Sequence, residues 1–349
     1  MSTLNSICVL RLSAIGDTCN AVAAVQAIQR QHPQASITWV IGKAEAALLQ
    51  GLPGIEFVVF NKKDGLAAFR TLRRHMAGRR FDVLLQMQVA LRANLASLCI
   101  PAKRRIGYDK ARSKELHSLF INERIQPASR PHVLDTFLQF AAALGVPLAP
   151  PAWDIPVADE DQRWARDQLA PNTRGHLVIV PAASARERNW HPERYATVAD
   201  HAAQNGFSVY LCGGPTELEL TLASDIMGSC SCNHPPINLV GQSSLKQLFA
   251  LLRAADLVLA PDTGPAHMAV AAGTPVIGLY AHSNPARTGP YSWQNYVVDA
   301  YSRLIEQHHG KPADQLPWGQ RLKGHELMEH ISKEQVCTMF DRVVTEQSL

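Results

Sequence analysis

The fold is decided by the stretch LVLAPDTGPAHMAVAA, residues 257–272, in which an apolar strand passes through a polar turn into a helix. Asp262, Thr263 and Gly264 stand at the turn. Gly264 lets backbone N–H groups approach a phosphate with no Cβ in the way, and Thr263 can cap the helix. His267 lies in the first helical turn, where it can donate to a phosphate oxygen. Ligands of open parallel sheets bind at such strand ends, so the stretch predicts an anion-binding turn, with an ordinary capped turn as the alternative.

Outward from this stretch, short apolar strands alternate with helices, which is typical of a mostly parallel sheet covered on both faces. The alternation is interrupted by four prolines within residues 147–156 and then restarts. The sequence therefore predicts an α/β protein of two Rossmann-like, doubly wound domains, residues 1–160 and 161–325, followed by a helical segment, residues 326–349. The predicted strands are 7–12, 36–41, 55–60, 81–86, 105–108, 177–180, 207–212, 237–240, 256–260 and 274–280, and the predicted helices are 21–31, 66–77, 132–144, 192–204, 217–227, 244–254, 264–272 and 334–345.

Length and composition narrow the class of protein. The chain has 349 residues, more than the ~250–300 at which single cores usually divide, so two domains are expected. Its formal net charge of +4 is too small to indicate a nucleic-acid partner. The seven cysteines are scattered, and the CSC segment at 230–232 has no second pair that would suggest zinc. We see no signal peptide and no apolar run of the ~20 residues that span a bilayer, and therefore expect a cytoplasmic protein with reduced thiols.

Two further loops of the second half are candidates for binding a nucleotide. Residues 182–190 follow a strand and carry Arg186 and Arg188, whose planar guanidinium groups suit a diphosphate; a solvated basic loop is the alternative. Glu217 follows the Gly-Gly-Pro turn at 213–215 and can accept hydrogen bonds from ribose hydroxyls, or it is only a first-turn acid favoured by the helix dipole. The chain has neither a G-x-G-x-x-G fingerprint nor a Walker A sequence, so hydride transfer and ATP hydrolysis lose support.

The first half offers a carboxylate where its first strand ends, in the pair Gly16-Asp17. A carboxylate at this place can accept a proton from an attacking hydroxyl, and a helix N-terminus favours its charged form; a simple N-cap aspartate is the alternative. Basic residues cluster in the same half and indicate an acidic or phosphorylated acceptor, an anionic membrane surface, or only a solvated face. These residues are Lys62, Lys63, Arg70, Arg73, Arg74, Arg79, Arg80, Lys103, Arg104 and Arg105.

Several segments, in this order and at these distances, resemble the ADP-heptose:lipopolysaccharide heptosyltransferases of glycosyltransferase family 9. They are VLRLSAIGD at 9–17, RIGYD at 105–109 with SLF at 118–120, PDTGPAH at 261–267 and RTGPY at 287–291. The resemblance covers nearly the whole chain. It implies the GT-B fold, in which two Rossmann-like domains face each other across a cleft, and a C-terminal helix that returns to pack on the first domain.

The resemblance also implies roles for particular residues. Asp17 matches the aspartate proposed as general base, which deprotonates an acceptor hydroxyl for an inverting displacement. The residues matched to donor binding are Ser184, Arg188, Glu217, Asp262, Thr263, Gly264 and His267. Arg188 stands where some members carry a lysine, which keeps the charge and changes its geometry. No metal or other cofactor is expected, because Arg188, His267 and the helix dipole can neutralise the leaving diphosphate.

The implied function is transfer of heptose from the donor ADP-heptose to the inner core of lipopolysaccharide. The implied location is the cytoplasmic face of the inner membrane, in peripheral contact with its anionic surface. Three alternatives stay open at this point: a GT-B transferase for another nucleotide sugar, a non-catalytic sugar-nucleotide-binding protein, and an epimerase on a similar double sheet. An epimerase would convert the donor with no acceptor present, and a binding protein would give no product.

Overall fold

The computed structural model describes residues 4–324 and 326–349. The chain forms two compact units, Met1–Pro156 and Val157–Leu349. The division falls at the end of the proline-rich segment, just before the boundary predicted at residue 160. Each unit contains one six-stranded sheet.

The first unit is built on a parallel sheet with the strand order β3-β2-β1-β4-β5-β6. Its central strand β1 is buried along nearly its whole length, which explains the apolar composition of residues 7–12: helices cover both faces of such a sheet. The strands are β1 (Ser6–Arg11), β2 (Ser36–Ile41), β3 (Ile55–Val59), β4 (Phe81–Gln86), β5 (Ala102–Gly107) and β6 (Glu123–Arg124).

The helices of the first unit differ from the prediction mainly in the start of α1 and in two short additions. They are α1 (Ile15–Gln31), α2 (Lys43–Leu49), α3 (Leu66–His75), α4 (Leu91–Ser97) and α5 (Val133–Ala142). α1 begins well before residue 21, the predicted start, and therefore carries Asp17 in its first turn. α2 and α4 have seven residues each, too few to show a helical period in the sequence.

The second unit repeats the architecture. Its strands are β7 (Gly175–Ile179), β8 (Phe207–Leu211), β9 (Ile237–Asn238), β10 (Leu257–Pro261), β11 (Val276–Tyr280) and β12 (Val297–Asp299), in the order β12-β11-β10-β7-β8-β9. Its helices are α6 (Asp159–Gln168), α7 (Pro192–Gln204), α8 (Glu217–Ser229), α9 (Leu245–Ala254), α10 (Gly264–Ala272), α11 (Pro285–Thr288), α12 (Tyr301–His309) and α13 (Lys333–Glu346). The predicted α/β class with two Rossmann-like sheets is confirmed.

In both sheets, the order in which successive strands are added reverses at an equivalent place. Counted along each unit, the strand order is 3-2-1-4-5-6, so the chain switches sides between the first and fourth strands. These are β1 and β4 in the first unit and β7 and β10 in the second. Ligands of doubly wound sheets bind beyond the carboxyl ends of the strands at this switch point. The loops after these four strands are therefore where the site is expected.

The final helix corrects one expectation. Helix α13 was expected to return to the first domain, but its buried side chains Val336, Phe340 and Val343 belong to the core of the second unit. Phe340 packs edge-on against Phe207, with ring centroids 5.1 Å apart. The helix is therefore a structural part of the second unit.

A buried polar cluster in the first unit makes its stability depend on pH. The Tyr108 backbone N–H donates to His117 Nε2 at 3.1 Å, so that nitrogen carries no proton. His117 Nδ1 lies 3.0 Å from Asn94 Oδ1, which also accepts from Gln86 Nε2 at 2.6 Å. Burial, with a smaller contribution from the Arg124 charge, lowers the pKa of His117 from 6.5 to about 4. The folded unit therefore holds a neutral imidazole.

We expect the first unit to lose stability as the pH falls from about 6.5 to about 4. In that window the unfolded chain binds a proton at His117 and the folded chain does not, so protonation favours unfolding. The shift corresponds to about 3 kcal/mol. Urea unfolding of the wild type and His117→Gln at pH 7 and pH 5 tests this. The pH dependence should shrink in His117→Gln but persist in the control His75→Gln, in which an exposed histidine is replaced; equal pH dependence in all three proteins would contradict the assignment.

Candidate functional site

The carboxylate predicted in the first unit lies where β1 passes into α1. Asp17 stands in the first turn of α1, and its side chain is 36% exposed. It forms an ion pair with the Arg11 guanidinium at the end of β1. The N-cap of α1 is Ala14, which overturns the alternative of a simple N-cap aspartate. Asp17 is thus a first-turn acid that is reached by solvent on one side and held by a cation on the other.

Arg11 is a residue of this candidate site that the sequence analysis missed. Its side chain is 10% exposed, and Nη1 donates to the Met87 carbonyl oxygen at 2.7 Å. The guanidinium carbon also lies 5.4 Å from the ring centroid of Phe137. These contacts fix the cation and, through it, the direction of the Asp17 carboxylate. The signal was present in the sequence, since Arg11 is the one charge in an otherwise apolar strand.

The loop between β1 and α1 is tied to the loop after β4. The Leu12 backbone N–H donates to Gln88 Oε1 at 2.7 Å, and Gln88 Nε2 donates to Ser13 Oγ at 3.3 Å. β1 and β4 are the two strands between which the strand order of the first sheet reverses. Gln88 therefore holds the Asp17 loop at the switch point, a contact over 76 residues that no local pattern could predict.

A cavity of about 640 Å3 opens beside this loop, at the carboxyl ends of the first four strands. Gly42 is required at its wall, because a Cβ there would lie 2.2 Å from the Leu12 carbonyl oxygen. Burial raises the pKa of Glu45, the acid on this wall. The basic side chains in the lining are Lys43, Lys62, Lys63 and Arg92. Four cations against one acid favour an anionic ligand.

The structure divides the predicted basic cluster into separate groups. Lys62 and Lys63 line the cavity. Lys103 pairs with Asp82 at 2.8 Å, and Arg79 and Arg104 each bind a glutamate through two nitrogens. Arg105 donates to the backbone carbonyls of Ser97, Ile100 and Phe120. Most of the cluster along β5 is therefore structural, Lys62 and Lys63 are its members in the cavity lining, and Arg70, Arg73 and Arg74 are exposed on α3.

In the second unit, the predicted turn occupies the switch point between β7 and β10. Thr263 has the extended backbone of an N-cap residue (φ −145°, ψ 162°), but its side chain does not cap α10. Its hydroxyl instead donates to the Ala182 carbonyl oxygen at 3.4 Å, which ties the two switch-point loops together. The prediction of a side-chain cap was wrong. The first-turn N–H groups of α10 consequently have no side-chain acceptor at the cap and point to where an anion can bind.

Asp262 organises the groups around this helix start. Its carboxylate accepts a hydrogen bond from Ser283 Oγ at 2.6 Å and lies 3.7 Å from Arg188 Nη1. Arg188 Nη1 also donates to the Asp262 backbone carbonyl at 3.2 Å. Asp262 is 12% exposed and Arg188 is 24% exposed, so the carboxylate is mostly covered while the guanidinium still reaches solvent. Asp262 thus serves to position Arg188 at the start of α10.

The other predicted donor residues lie at the same edge of the second sheet. Ser184 is exposed in the loop after β7, and Glu217 is exposed in the first turn of α8. Glu219, not Glu217, closes the turn before α8, by accepting from the Gly214 N–H at 2.7 Å. Gly264 begins α10, and His267 is half-buried in its first turn. Among these predicted residues, only Asp262 and Arg188 contact each other through a side chain. Thr263 bonds instead to Ala182. Within the described part of the chain, no hydrogen bond or ion pair joins these three to Ser184, Glu217 or His267.

The loop after β11 adds two residues that the sequence analysis missed. Ser283 is buried and binds Asp262, as described. His282 is buried as well; its Nδ1 lies 3.1 Å from the Leu322 carbonyl oxygen, while Nε2 has no hydrogen-bond partner among the described residues. Both lie within three residues of the end of β11, and that position was the available signal. The RTGPY segment begins at the next helix, α11, where Tyr280 donates to the Thr288 carbonyl at 3.0 Å.

Within residues 4–324 and 326–349, no three His, Cys, Asp or Glu side chains are grouped so as to hold a metal ion. Among the helices described, none is long and apolar enough to cross a bilayer.

Known proteins match this sequence over most of its length. The model of glycosyltransferase family 9 (heptosyltransferase) matches residues 69–335. The lipopolysaccharide core heptosyltransferase OpsX of Haemophilus influenzae is 44% identical over 331 residues, which cover 95% of this chain and 94% of that protein. Lipopolysaccharide heptosyltransferase 3 of Escherichia coli is 23% identical and covers 82% of this chain and 85% of its own length.

A solved structure shows the same fold over nearly the full length. The glycosyl transferase family 9 protein from Veillonella parvula superposes with a TM-score of 0.79 at 22% identity, covering 99% of each chain. At that level of identity the likeness shows the fold alone. It agrees with the two six-stranded parallel sheets described above.

Proposed function

The chain belongs to glycosyltransferase family 9, the heptosyltransferases, and from that premise we propose that it transfers heptose from ADP-heptose to the inner core of lipopolysaccharide. The observation that carries the proposal is the pairing of chemistries at the two switch points. The first unit offers a partly exposed carboxylate beside a cation-lined cavity. The second offers a helix start without a side-chain cap, with Arg188 beside it. A sugar acceptor needs the carboxylate and the cavity. A diphosphate leaving group needs the helix start and Arg188.

The proposed reaction is a single inverting displacement. Asp17 accepts the proton of an acceptor hydroxyl, whose oxygen attacks the anomeric carbon of the donor sugar. The bond between that carbon and the diphosphate oxygen breaks as the new glycosidic bond forms. The leaving diphosphate keeps the electron pair, and its charge is neutralised by Arg188, His267 and the N–H groups of α10. Since protein groups supply this positive charge, we propose that no metal or other cofactor takes part.

The donor half of the proposal rests on the edge of the second sheet. The turn at Asp262, Thr263 and Gly264 would hold the diphosphate, with the Ser184 hydroxyl facing it. Glu217 supports a ribose contact, because its exposed carboxylate has no hydrogen-bond partner among the residues described and Glu219 already closes the helix. The relative OpsX is named as a lipopolysaccharide core heptosyltransferase, which supports heptose as the sugar.

The acceptor half rests on the cavity of the first unit. Its lining cations favour an acceptor with acidic or phosphate groups close to the reacting hydroxyl. Such an acceptor would approach along the loop that carries Ser13 and leads to Asp17. We propose that this happens at the cytoplasmic face of the inner membrane, where a lipid-linked acceptor is held.

The function is tested by measuring product with ADP-heptose and a heptose-free lipopolysaccharide acceptor. We expect transfer with ADP-heptose, little with a UDP-sugar, and no conversion of the donor when the acceptor is left out. ADP should raise the melting temperature more than UDP does. Conversion without acceptor would indicate an epimerase, and binding without any product would indicate a non-catalytic protein.

His267→Ala should weaken the melting shift produced by ADP and by UDP to a similar extent, since it is proposed to contact the diphosphate common to both. The loss of one charge-assisted hydrogen bond corresponds to about a tenfold weaker affinity. The matched control is His308→Ala, an exposed histidine of the same unit, and it should leave both shifts unchanged. A His267→Ala protein that binds ADP like the wild type would remove His267 from the site.

A further inference from the structure

Helix α4 of the first unit exposes a stripe of leucines. Leu91, Leu95 and Leu98 are 48, 42 and 66% exposed. Spaced four and then three residues apart, they lie on one face of the helix and its last turn. The opposite face buries Ala93 and Ala96 in the core of the first unit. Single exposed leucines are ordinary, but an aligned set of three marks a surface that contacts something apolar.

A second segment extends this stripe. Leu116 and Leu119 are 65 and 76% exposed. Their segment is fastened to α4 near the start of the helix, where the Leu91 N–H donates to the Glu115 carboxylate and Asn94 Nδ2 donates to the Glu115 carbonyl at 2.7 Å. Leu116 has a left-handed backbone (φ 61°), which is unusual for a large side chain.

The same segment is fastened again at the end of α4. Arg105 donates to the Ser97 carbonyl at 2.8 Å and to the Phe120 carbonyl at 2.8 Å. Because both of its ends are tied, the segment that carries Leu116 and Leu119 is fixed against the helix that carries the other three leucines. We call the five exposed leucines of these two segments the leucine face. It consists of Leu91, Leu95, Leu98, Leu116 and Leu119.

Five exposed cations lie on the segments of the leucine face or on helix α3. Arg92 and Lys114 are exposed within its two segments. Helix α3 packs into the same core as α4 and exposes Arg70, Arg73 and Arg74 on one side. None of these five cations forms an ion pair with another residue in the described part of the chain. Exposed leucines with unpaired cations on the same two segments and on a helix of the same core match a surface that is apolar inside and anionic at its boundary.

We propose that the leucine face, with these cations, is the surface by which the protein docks on an anionic lipid bilayer. The inference deepens the proposed function and rests on it for one step, the lipid-linked acceptor. α4 joins the two sites: Arg92 lines the acceptor cavity while Leu91 and Leu95 face outward from the same helix. An acceptor anchored in the bilayer would then enter the cavity beside the docked helix.

A second copy of the chain fits the leucine face less well than an anionic bilayer does. A two-fold interface would bring the same patch of each copy together, so the arginines of α3 would approach their own counterparts. Like charges in that arrangement oppose association. Anionic headgroups instead pair with the cations while the leucines enter the boundary of the acyl chains.

The test is flotation of the protein with vesicles of phosphatidylethanolamine and phosphatidylglycerol, without donor or acceptor. We expect the wild type to float with these vesicles, and much less with pure phosphatidylcholine or at high salt. Leu95→Glu/Leu98→Glu should lower the partition coefficient at least about tenfold. The control Leu148→Glu/Leu220→Glu changes leucines of similar exposure elsewhere and should float like the wild type.

The cations are tested separately. Arg70→Gln/Arg73→Gln/Arg74→Gln should lower binding to anionic vesicles about 100-fold, since each cation near such a surface contributes about a factor of five. The control Arg163→Gln/Arg253→Gln/Arg303→Gln removes the same charge from exposed positions of the second unit and should have a small effect.

The outcomes separate this inference from the proposed function. Leu95→Glu/Leu98→Glu should keep wild-type turnover with a delipidated, water-soluble acceptor while losing vesicle binding. Absence of turnover in the wild type would defeat the proposed function and leave flotation unaffected. Flotation of the leucine variant like the wild type would overturn the docking surface, and so would a change in its oligomeric state without a change in flotation.

Discussion

Asp17→Asn is expected to lower turnover about 10²- to 10⁴-fold, the range by which a positioned general base accelerates proton transfer. The amide has nearly the size of the carboxylate but cannot take the proton of the attacking hydroxyl. Donor affinity should stay unchanged, because the diphosphate contacts proposed here lie in the second unit. The measurement is initial rate against ADP-heptose concentration, in which the loss should appear in kcat and not in KM.

The choice of asparagine keeps this experiment interpretable. The guanidinium of Arg11 is buried and donates to Asp17, so alanine at this position would leave a buried cation unpaired and could unfold the loop. Asparagine retains an oxygen that accepts from Arg11. The control is Asp64→Asn, an exposed acid of the same unit, which should turn over like the wild type. Wild-type turnover in Asp17→Asn with an unchanged melting temperature would show that another group is the base.

The fold could be predicted because the sequence patterns that indicate its strands and helices are local. Most strands and long helices are runs whose apolar spacing shows their period, and the turn at residues 261–267 shows where a strand meets a helix. The short strands β6 and β12 and the helices α6 and α12 were not predicted. Asp17 and the segment 262–264 were found for the same reason, since each lies where such a strand passes through a turn into a helix. The helix start at Ile15 was missed because the loop residues before Ala21 carry no apolar period.

The contacts that complete each site were not predictable, since they join residues far apart in the chain. Gln88 reaches Leu12 over 76 residues, and Ser283 reaches Asp262 over 21. The Thr263 hydroxyl can accept from a backbone N–H of its own helix or donate to a carbonyl elsewhere, and only the position of the loop after β7 decides that it donates to Ala182. The acceptor cavity is likewise lined by residues that follow four different strands, so no single segment of the sequence indicates it.

Helix α13 shows the limit of reasoning by resemblance. Its amphipathic pattern correctly predicts a helix with one buried face, but it cannot say which core that face meets. In the structure the face joins the second unit, and the bond from His201 Nε2 to Asp341 at 2.7 Å adds a polar contact with α7. The partner of an amphipathic helix is a property of the tertiary structure and not of the helix.

Arg188→Ala is the second large effect, with an expected loss of about 10²- to 10³-fold in kcat, as for removal of one charged donor from a developing anion. Arg188 is held at the start of α10 by the Asp262 carbonyl and carboxylate, so its charge is fixed before the donor binds. The charge on the diphosphate grows as the bond to the sugar breaks, and kcat should therefore fall more than ADP affinity does. Rates with ADP-heptose and melting shifts with ADP measure the two quantities.

Three comparisons decide whether Arg188 acts through its charge or only through structure. Arg186→Ala removes an exposed arginine two residues away and should leave kcat near the wild-type value. Arg188→Lys keeps the charge without the planar fork and should give an intermediate loss. Added guanidinium ion should restore part of the rate of Arg188→Ala, because a small cation can occupy the space left beside Asp262. Loss of activity in Arg188→Ala without rescue, together with a lowered melting temperature, would show that Arg188 only supports the loop.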